Sequence, residues 1–285
     1  MEIKEIDKYK TLIKKVIPEL NKKGKWALLL LLTIIISSFI VPIFLNTTYE
    51  EQNLELGAVK PSYEHWFGTD LLGRDLFVRT LYGIKISFWV GLCATVVALL
   101  IGVSYGSISG YVGGWIDTWM MYFVDILYTM PFTMFVIILM TFFGRNFYLL
   151  FIAIGAVEWL TMARIVRGKV LSIKQQEFVY SAKALGFSTP RILFKHVIPN
   201  LLNIVIVYTT LTIPQVILLE AFLSFLGLGV QPPMCSLGVL IREGVEVMEE
   251  YPWLLLFPGC FFVLILLLLN LLGDSLQDIR NEKIG

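Results

Sequence analysis

Long uncharged runs separated by charged segments dominate this chain, and they predict membrane-spanning helices. The first run, from Trp26 to Leu45, contains 20 residues, enough to cross about 30 Å of hydrocarbon at about 1.5 Å per residue. Helices are required because each unpaired backbone group in lipid costs several kcal/mol. The pattern predicts six such helices, at residues 26–45, 86–109, 118–143, 146–165, 198–226 and 253–272.

The composition points the same way. Apolar residues make up 57% of the chain and charged residues 16%, whereas soluble domains contain roughly 45–50% and about 25%. Six spans leave little chain for a separate catalytic domain, and a net charge of +1 gives no reason to expect nucleic acid as a partner. The three cysteines suggest neither a disulfide framework nor a metal site. We therefore predict an all-α integral membrane protein that binds no metal.

Lysines and arginines are concentrated in three segments: the N-terminal tail, residues 164–195 and the C-terminal tail. Segments rich in lysine and arginine stay in the cytoplasm, so an even number of spans is needed and both termini should be cytoplasmic. The expected division is a cytoplasmic tail (1–25), a first transmembrane helix (26–45), an extracytoplasmic segment (46–85), a core of five transmembrane helices (86–273) and a second cytoplasmic tail (274–285).

Small residues recur every four positions in and just after the second predicted span, at Gly102, Gly106, Gly110 and Gly114. On a continuous helix these positions share one face, and a stripe of small residues lets two helices approach closely. We expect Gly102, Gly106 and Gly110 to form a helix contact. The alternative is that the later glycines only open the turn before Trp115.

Asp125 lies inside the third predicted span. A carboxylate in a membrane is costly, so it should face a partner, a polar cavity or the interface. Two hypotheses stay open: Asp125 lines a pathway or gate, or it has a structural role at the membrane interface. Pro131 follows in the same span and can kink the helix because it lacks a backbone donor. In the fourth span, Glu158 and Arg164 are too far apart in sequence for an i,i+4 pair.

The basic segment between the fourth and fifth spans, residues 171–199, predicts two short cytoplasmic helices. Lys174–Leu185 contains strong helix formers, and its apolar stripe consists of Phe178, Ala182 and Leu185. Gly186 ends this helix, a second begins at Thr189–Pro190, and Pro199 interrupts the backbone hydrogen bonds where the fifth span starts. An apolar stripe on such a hairpin requires something to pack against. The alternative is that it binds anionic lipid headgroups.

The predicted extracytoplasmic segment contains a compact charged motif. Asp70 and Arg74 bracket Gly73 and have the spacing of an i,i+4 ion pair. Such a pair would fix the entry to the second span. The motif is compatible with a folded structural loop and with direct contact to a substrate.

Residues 171–200 resemble the cytoplasmic coupling motif of bacterial ABC importer permeases. That motif runs Glu-Ala-Ala, three residues, Gly, nine residues, Ile, one residue, Leu-Pro. Aligned on Gly186, it falls on Tyr180, Ser181, Ala182, His196, Ile198 and Pro199. The spacing is kept throughout, while Tyr180, Ser181 and His196 replace the motif's Glu, Ala and Ile.

Four further blocks resemble the C-type permeases of the dipeptide, oligopeptide and nickel importers. They are HWFGTDLLGRDLFVRTLYG at 65–83, EAFLSFLGLGVQPP at 220–233, PWLLLFPG at 252–259 and NLLGDSLQD at 270–278. The sequence departs from the family pattern at residues 234–238. The resemblance implies a type I ABC importer transmembrane fold with six helices, a cytoplasmic coupling helix and a place in the bacterial plasma membrane.

The resemblance also implies partners and a mechanism. Two ATP-binding subunits would carry ATP and Mg²⁺, a homologous second permease would complete the pore, and an extracytoplasmic binding protein would deliver substrate. The residues expected to couple to an ATPase are Phe178, Tyr180, Ser181, Ala182, Leu185, Gly186 and Pro199. Closure of the ATPases would pull the hairpin and rearrange the bundle by alternating access.

This chain is expected to have no catalytic residues and no cofactor of its own. Its two Gly-Lys pairs, at residues 24–25 and 168–169, lack the other residues of a phosphate-binding loop. His65 and His196 are predicted on opposite sides of the membrane. Because the FVRTLYG version of the external block is similar to peptide importers, the expected substrate is a short peptide. Two alternatives remain. One is a permease of the same family that imports nickel, an opine or a metal chelate, and the other is an ATP-independent channel or secondary transporter.

Overall fold

The computed structural model describes residues 20–45, 47–144 and 146–282, and the regular structure of this part of the chain is helical, without a β-strand. Most of the predicted N-terminal tail, residues 1–19, lies outside the described residues. The helices are α1 (Lys22–Phe44), α2 (Leu76–Val112), α3 (Gly114–Thr129), α4 (Phe132–Phe143), α5 (Phe147–Ile173), α6 (Glu177–Ala184), α7 (Thr189–Ile192), a π-helix (Leu193–Val197), α8 (Ile198–Phe225), α9 (Leu237–Glu246) and α10 (Trp253–Glu282).

Five helices among the described residues are long and apolar enough to cross a membrane on their own: α1, α2, α5, α8 and α10. Helices α3 and α4 pass the same test only as a pair, and the pair is bent by 89°. The predicted all-α membrane architecture is therefore confirmed, with a broken helix in the place of the third span.

The third predicted span, residues 118–143, is broken into two helices at the kink that Pro131 predicts. Helix α3 ends at Thr129, Met130 has an extended backbone (φ −73°, ψ 134°), and α4 begins directly after Pro131. The cause is local, because a residue that precedes proline is disfavoured in the α conformation and the proline itself lacks an N–H group. The bend lies where Pro131 predicts it.

Helix α2 begins at Leu76, well before the predicted start at residue 86, so the last part of the predicted 46–85 segment is helical. Asp75 caps the helix, since its Oδ1 accepts a hydrogen bond from the backbone N–H of Val78 at 3.0 Å. The first turns contain Arg79 and Lys85, whose charges displaced the predicted boundary. With 37 residues, α2 is about 55 Å long, longer than a hydrocarbon core is thick.

Other helices also extend past the predicted boundaries. Helix α1 starts at Lys22, inside the predicted 1–25 tail, and α10 runs through most of the predicted 274–285 tail to Glu282. The two ends meet, because the backbone N–H of Asn21 donates to the Oγ of Ser275 at 3.3 Å. The start of α1 and the end of α10 therefore lie on the same side of the bundle.

Helices α2 and α5 pack closely along the predicted glycine stripe. A Cβ built on Gly102 would lie 2.6 Å from Met162 Cβ, one on Gly110 would lie 2.9 Å from the Arg167 carbonyl oxygen, and one on Gly106 would be closer still to the Ala163 carbonyl. Gly114 does not belong to this stripe, because α2 ends at Val112 and the next residue, Gly113, has φ 74°.

We predict that Gly106→Val lowers the stability of the bundle, because its side chain would meet the backbone of α5 and force the two helices apart. Overpacking of this kind costs about 1–3 kcal/mol. Gly168→Val on α5 is the matched control, since a Cβ there meets nothing within 4 Å. The midpoint of thermal unfolding in detergent, measured for both variants, should fall for Gly106→Val alone. Equal midpoints would contradict the close contact.

Candidate functional site

The cytoplasmic hairpin is held in shape by a helix stop at Gly186. The N–H of Phe187 bonds the Ala182 carbonyl at 3.2 Å and the N–H of Gly186 bonds the Lys183 carbonyl at 2.9 Å, which is a Schellman motif. Gly186 has φ 75°, a conformation that costs glycine little and strains other residues. The turn that separates α6 from α7 therefore depends on this glycine.

The predicted apolar stripe of α6 is wrong at one position. Ala182 is only 4% exposed and, with Val179, packs inward on this chain's own hydrophobic cluster. Leu185 is 72% exposed, and Phe178, Tyr180 and Ser181 are exposed as well. Helix α6 has eight residues and carries apolar residues on more than one side. The sequence alone did not show which of them pack against the bundle.

The inward side of the hairpin joins it to two long helices. Val179 and Ala182 belong to a buried cluster that also contains side chains of α5 and α8, including Val170 and Leu201. Tyr111 of α2 belongs to the same cluster, and the ammonium groups of Lys174 and Lys183 lie 5.7 and 5.5 Å from the centre of its ring, close enough for cation–π attraction. The hairpin is thus anchored to the ends of α2, α5 and α8.

The chain between the hairpin and α8 stays helical. Residues Leu193–Val197 form a π-helix, closed by a bond from the N–H of Ile198 to the Leu193 carbonyl, and α8 follows with Pro199 in its first turn. A proline cannot complete the α-type bond to the carbonyl four residues before it. The predicted interruption at Pro199 therefore takes the form of a widened turn, and α7 runs into α8 without a break.

Two ion pairs connect α3 to α5. Asp117 accepts two hydrogen bonds from Arg167, both of 2.6 Å, and a third from the hydroxyl of Ser109. Asp125 accepts one bond of 2.7 Å from Arg164. Arg164 therefore pairs with α3, and not with Glu158 of its own helix. The pairing of Asp117 with Arg167 was not predicted, because the residues are distant in sequence.

On the opposite side of the bundle, the predicted pair of Asp70 and Arg74 is confirmed at 2.7 Å. It forms in a turn rather than a helix: Asp70 also accepts bonds from the backbone N–H groups of Leu72 and Arg74. The buried Arg79 of α2 donates to Asp70 and, at 2.8 Å, to Glu243 of α9. This network ties the external loop to α2 and α9 beside a cavity of about 210 Å³, which supports the structural interpretation of the motif.

Comparison with known proteins identifies the family. A family model described as "Binding-protein-dependent transport system inner membrane component" matches residues 98–285. The chain belongs to this family.

Its relatives are named as peptide permeases. The permease is 48% identical over 265 residues to the oligopeptide transport system permease protein OppC of Haemophilus influenzae, an alignment that covers 92% of this chain and 85% of that protein. It is 42% identical over 265 residues to the dipeptide transport system permease protein DppC of Bacillus subtilis, covering 93% and 83%. The resemblance drawn from the sequence is confirmed.

A solved structure supports the same fold. A chain of the inward-facing MetNI methionine ABC transporter matches with a TM-score of 0.59 and 16% sequence identity, over 72% of this permease and 95% of that chain. At this identity the match concerns the fold alone. The predicted ABC importer transmembrane fold is confirmed.

The permease also contains a buried polar node that the sequence did not reveal. Glu220 of α8 is fully buried, and its carboxylate oxygens accept bonds from the hydroxyl groups of Ser87 at 3.0 Å and Ser224 at 2.7 Å. Ser87 in turn accepts a bond from the N–H of Leu237 at 3.1 Å. The node connects α2, α8 and α9 and continues the link made by Arg79 at the external end.

The predicted site residues fall into separate regions. Phe178, Tyr180, Ser181 and Leu185 are exposed on the hairpin, whereas Asp125 and Pro131 lie on the bent pair, and Gly102, Gly106 and Gly110 lie in the contact between α2 and α5. Cys235 precedes α9, and burial raises the pKa of its thiol to about 11.

We predict that Arg79→Met destabilises the permease, because it removes the buried guanidinium shared by Asp70 and Glu243 and leaves Asp70 paired with Arg74 alone. Breaking a buried pair from one side costs about 3–5 kcal/mol. Arg242→Met is the matched control: its pair with Glu246 on α9 is exposed, and such pairs are worth about 0–1 kcal/mol. Thermal unfolding in detergent should separate the two variants by several degrees. A similar midpoint for both would show that the external network contributes little.

Proposed function

We propose that this chain is the permease subunit of an ATP-driven importer of di- or oligopeptides, forms half of the translocation pathway, and receives mechanical work through its cytoplasmic hairpin. This proposal rests on one observation: Phe178, Tyr180, Ser181 and Leu185 are exposed on a hairpin that Val179 and Ala182 anchor in the bundle. Exposed apolar groups on such an anchored element mark a protein contact.

An ATPase subunit is the proposed occupant of this surface, and ATP with Mg²⁺ would bind to two such subunits. A force applied to α6 passes through its buried side to α5 and α8, and through the continuous π-helix into α8. Rigid helices that are packed in this way move as units. The hairpin is thus suited to convert closure of the ATPases into a rearrangement of the bundle.

The topology supports the same assignment. Counting α3 and α4 as one broken span gives six crossings, so the start of α1, the hairpin and the end of α10 lie on the cytoplasmic side. The contact between Asn21 and Ser275 agrees with two cytoplasmic termini. A homologous second permease would complete the pathway, and an extracytoplasmic binding protein would deliver substrate to the side that contains Asp70 and Arg79.

Peptides are the proposed substrates because the relatives at 42–48% identity are named as dipeptide and oligopeptide permeases. Uptake of radiolabelled trialanine should be lost when this chain is deleted and restored when it is supplied again. Uptake of Ni²⁺ by the same strains is the parallel measurement. Loss of nickel uptake with unchanged peptide uptake would overturn the peptide assignment.

We predict that Leu185→Ser weakens association with the ATPase subunit, because it removes an exposed apolar group from the proposed contact. Leu71→Ser is the matched control, since Leu71 is also exposed but lies on the extracytoplasmic turn. Copurification in mild detergent should retain the ATPase with wild-type and Leu71→Ser chains, and lose most of it with Leu185→Ser. If no ATPase accompanies the wild-type chain through purification, the proposed importer function is contradicted.

We predict that Gly186→Val abolishes ATP-dependent uptake while the chain still inserts into the membrane. A β-branched residue is strained at φ 75°, so the turn between α6 and α7 changes shape although no neighbour is displaced. Gly186→Asn should keep partial uptake, because asparagine tolerates this conformation. Full uptake by the valine variant at normal membrane levels would exclude the hairpin as coupling element.

A further inference from the structure

Charged and polar side chains form a strip across α3 and α5, with Asp125 inside the third predicted span and Arg164 at the cytoplasmic end of the fourth. The side chains of Asp125 and Arg164 are 61% and 40% exposed, and Tyr128 and Thr161 are exposed beside them. Asp125 and Tyr128 are three residues apart, as are Thr161 and Arg164, so each pair shares a helix face. We refer to Asp125, Tyr128, Thr161 and Arg164 as the polar strip.

The guanidinium group of Arg164 is held in place, but only part of its hydrogen-bonding capacity is used. Its guanidinium donates one bond to Asp125 and lies over the ring of Tyr128 at 4.1 Å. Guanidinium has five N–H donors, and the bond to Asp125 is the one that Arg164 makes within the described chain. Arg167, by comparison, gives two donors to Asp117. Arg164 therefore presents free donors at a fixed place.

Hydrocarbon is an unfavourable environment for the charged groups of this strip. Asp125 lies eight residues after Asp117, about 12 Å further along α3, and its short side chain cannot reach the headgroups by extending. Charged groups inside a membrane face the protein interior or a water-filled cavity. The exposed sides of Asp125 and Arg164 should therefore face water or a polar partner rather than hydrocarbon.

We propose that the polar strip is a substrate-contact site on the translocation route, at which Arg164 binds the carboxylate of a passing peptide. Asp125 holds the guanidinium in place between substrates, and Tyr128 supports it from below. A carboxylate matches the planar donors of arginine better than any uncharged group. This inference rests on the proposed peptide-import function and adds a residue that distinguishes substrates by their charged end.

The test uses the complete transporter, with its partner subunits, in proteoliposomes, and two peptides: trialanine and trialanine amide, which lacks the carboxylate. Arg164→Gln should raise the KM for trialanine about tenfold, as expected from the loss of a hydrogen bond between charged groups, and leave the KM for the amide nearly unchanged. Asp125→Asn should lower the KM for trialanine, because the guanidinium loses its competing partner. Arg242→Gln, on the extracytoplasmic α9, is the control and should change neither value.

A labelling experiment tests the same site without transport. Thr161→Cys is introduced after Cys93 and Cys260 have been replaced by serine, while Cys235 can stay because its buried thiol, with a pKa of about 11, is unreactive. A charged, water-soluble maleimide should label Thr161→Cys, and trialanine should slow the labelling. Ile137→Cys on α4, an exposed apolar position, should stay unlabelled.

Each outcome separates the inference from the function on which it rests. If the wild-type transporter takes up no trialanine, the peptide function fails, and labelling still decides whether the strip faces water. If trialanine is transported but Arg164→Gln changes both KM values equally, Arg164 has a structural role and the inference is overturned. Labelling of Thr161→Cys no faster than that of Ile137→Cys, or labelling that trialanine does not slow, overturns it as well.

Discussion

The close contact between α2 and α5 is the interaction on which the remaining structure depends. Three glycines on α2 let its backbone touch α5 near Met162, Ala163 and Arg167. No hydrophobic effect drives helices together in lipid, so this contact relies on short distances between backbones. Once α5 is fixed in this way, its other faces present Arg164 and Arg167 to α3, and its cytoplasmic end supports the hairpin.

The charged pairs of the bundle differ in burial, and this difference suggests different roles. Arg79 is almost completely enclosed and joins three external elements. Asp117 is nearly enclosed and fixes the start of α3. The pair of Asp125 and Arg164 is open, although it lies deeper along α3 than Asp117. Enclosed pairs rigidify the two ends of the molecule, while the open pair keeps its donors available.

Hydropathy was sufficient to predict the helical class, the membrane location and most spans, because an uncharged apolar run of about 20 residues is typical of a transmembrane helix. It failed where charges are neutralised by distant partners. Arg79 interrupts the apolar pattern, yet it belongs to α2 because Asp70 and Glu243 surround it, and the latter is 164 residues away. The coupling surface was predicted from motif spacing, but the inward position of Ala182 depends on how the bundle covers α6. The roles of the coupling residues remain predictions.

The right-angle bend between α3 and α4 has a consequence for how the protein is made. Helix α3 has 16 residues and α4 has 12, whereas a span needs about 20. Neither arm is long enough to cross the membrane as a helix by itself. The pair must therefore be stabilised by a neighbour during synthesis, and α5, the next helix to emerge from the ribosome, supplies the arginines that meet Asp117 and Asp125. Biogenesis of this region is thus a cooperative step in which a later segment secures an earlier one.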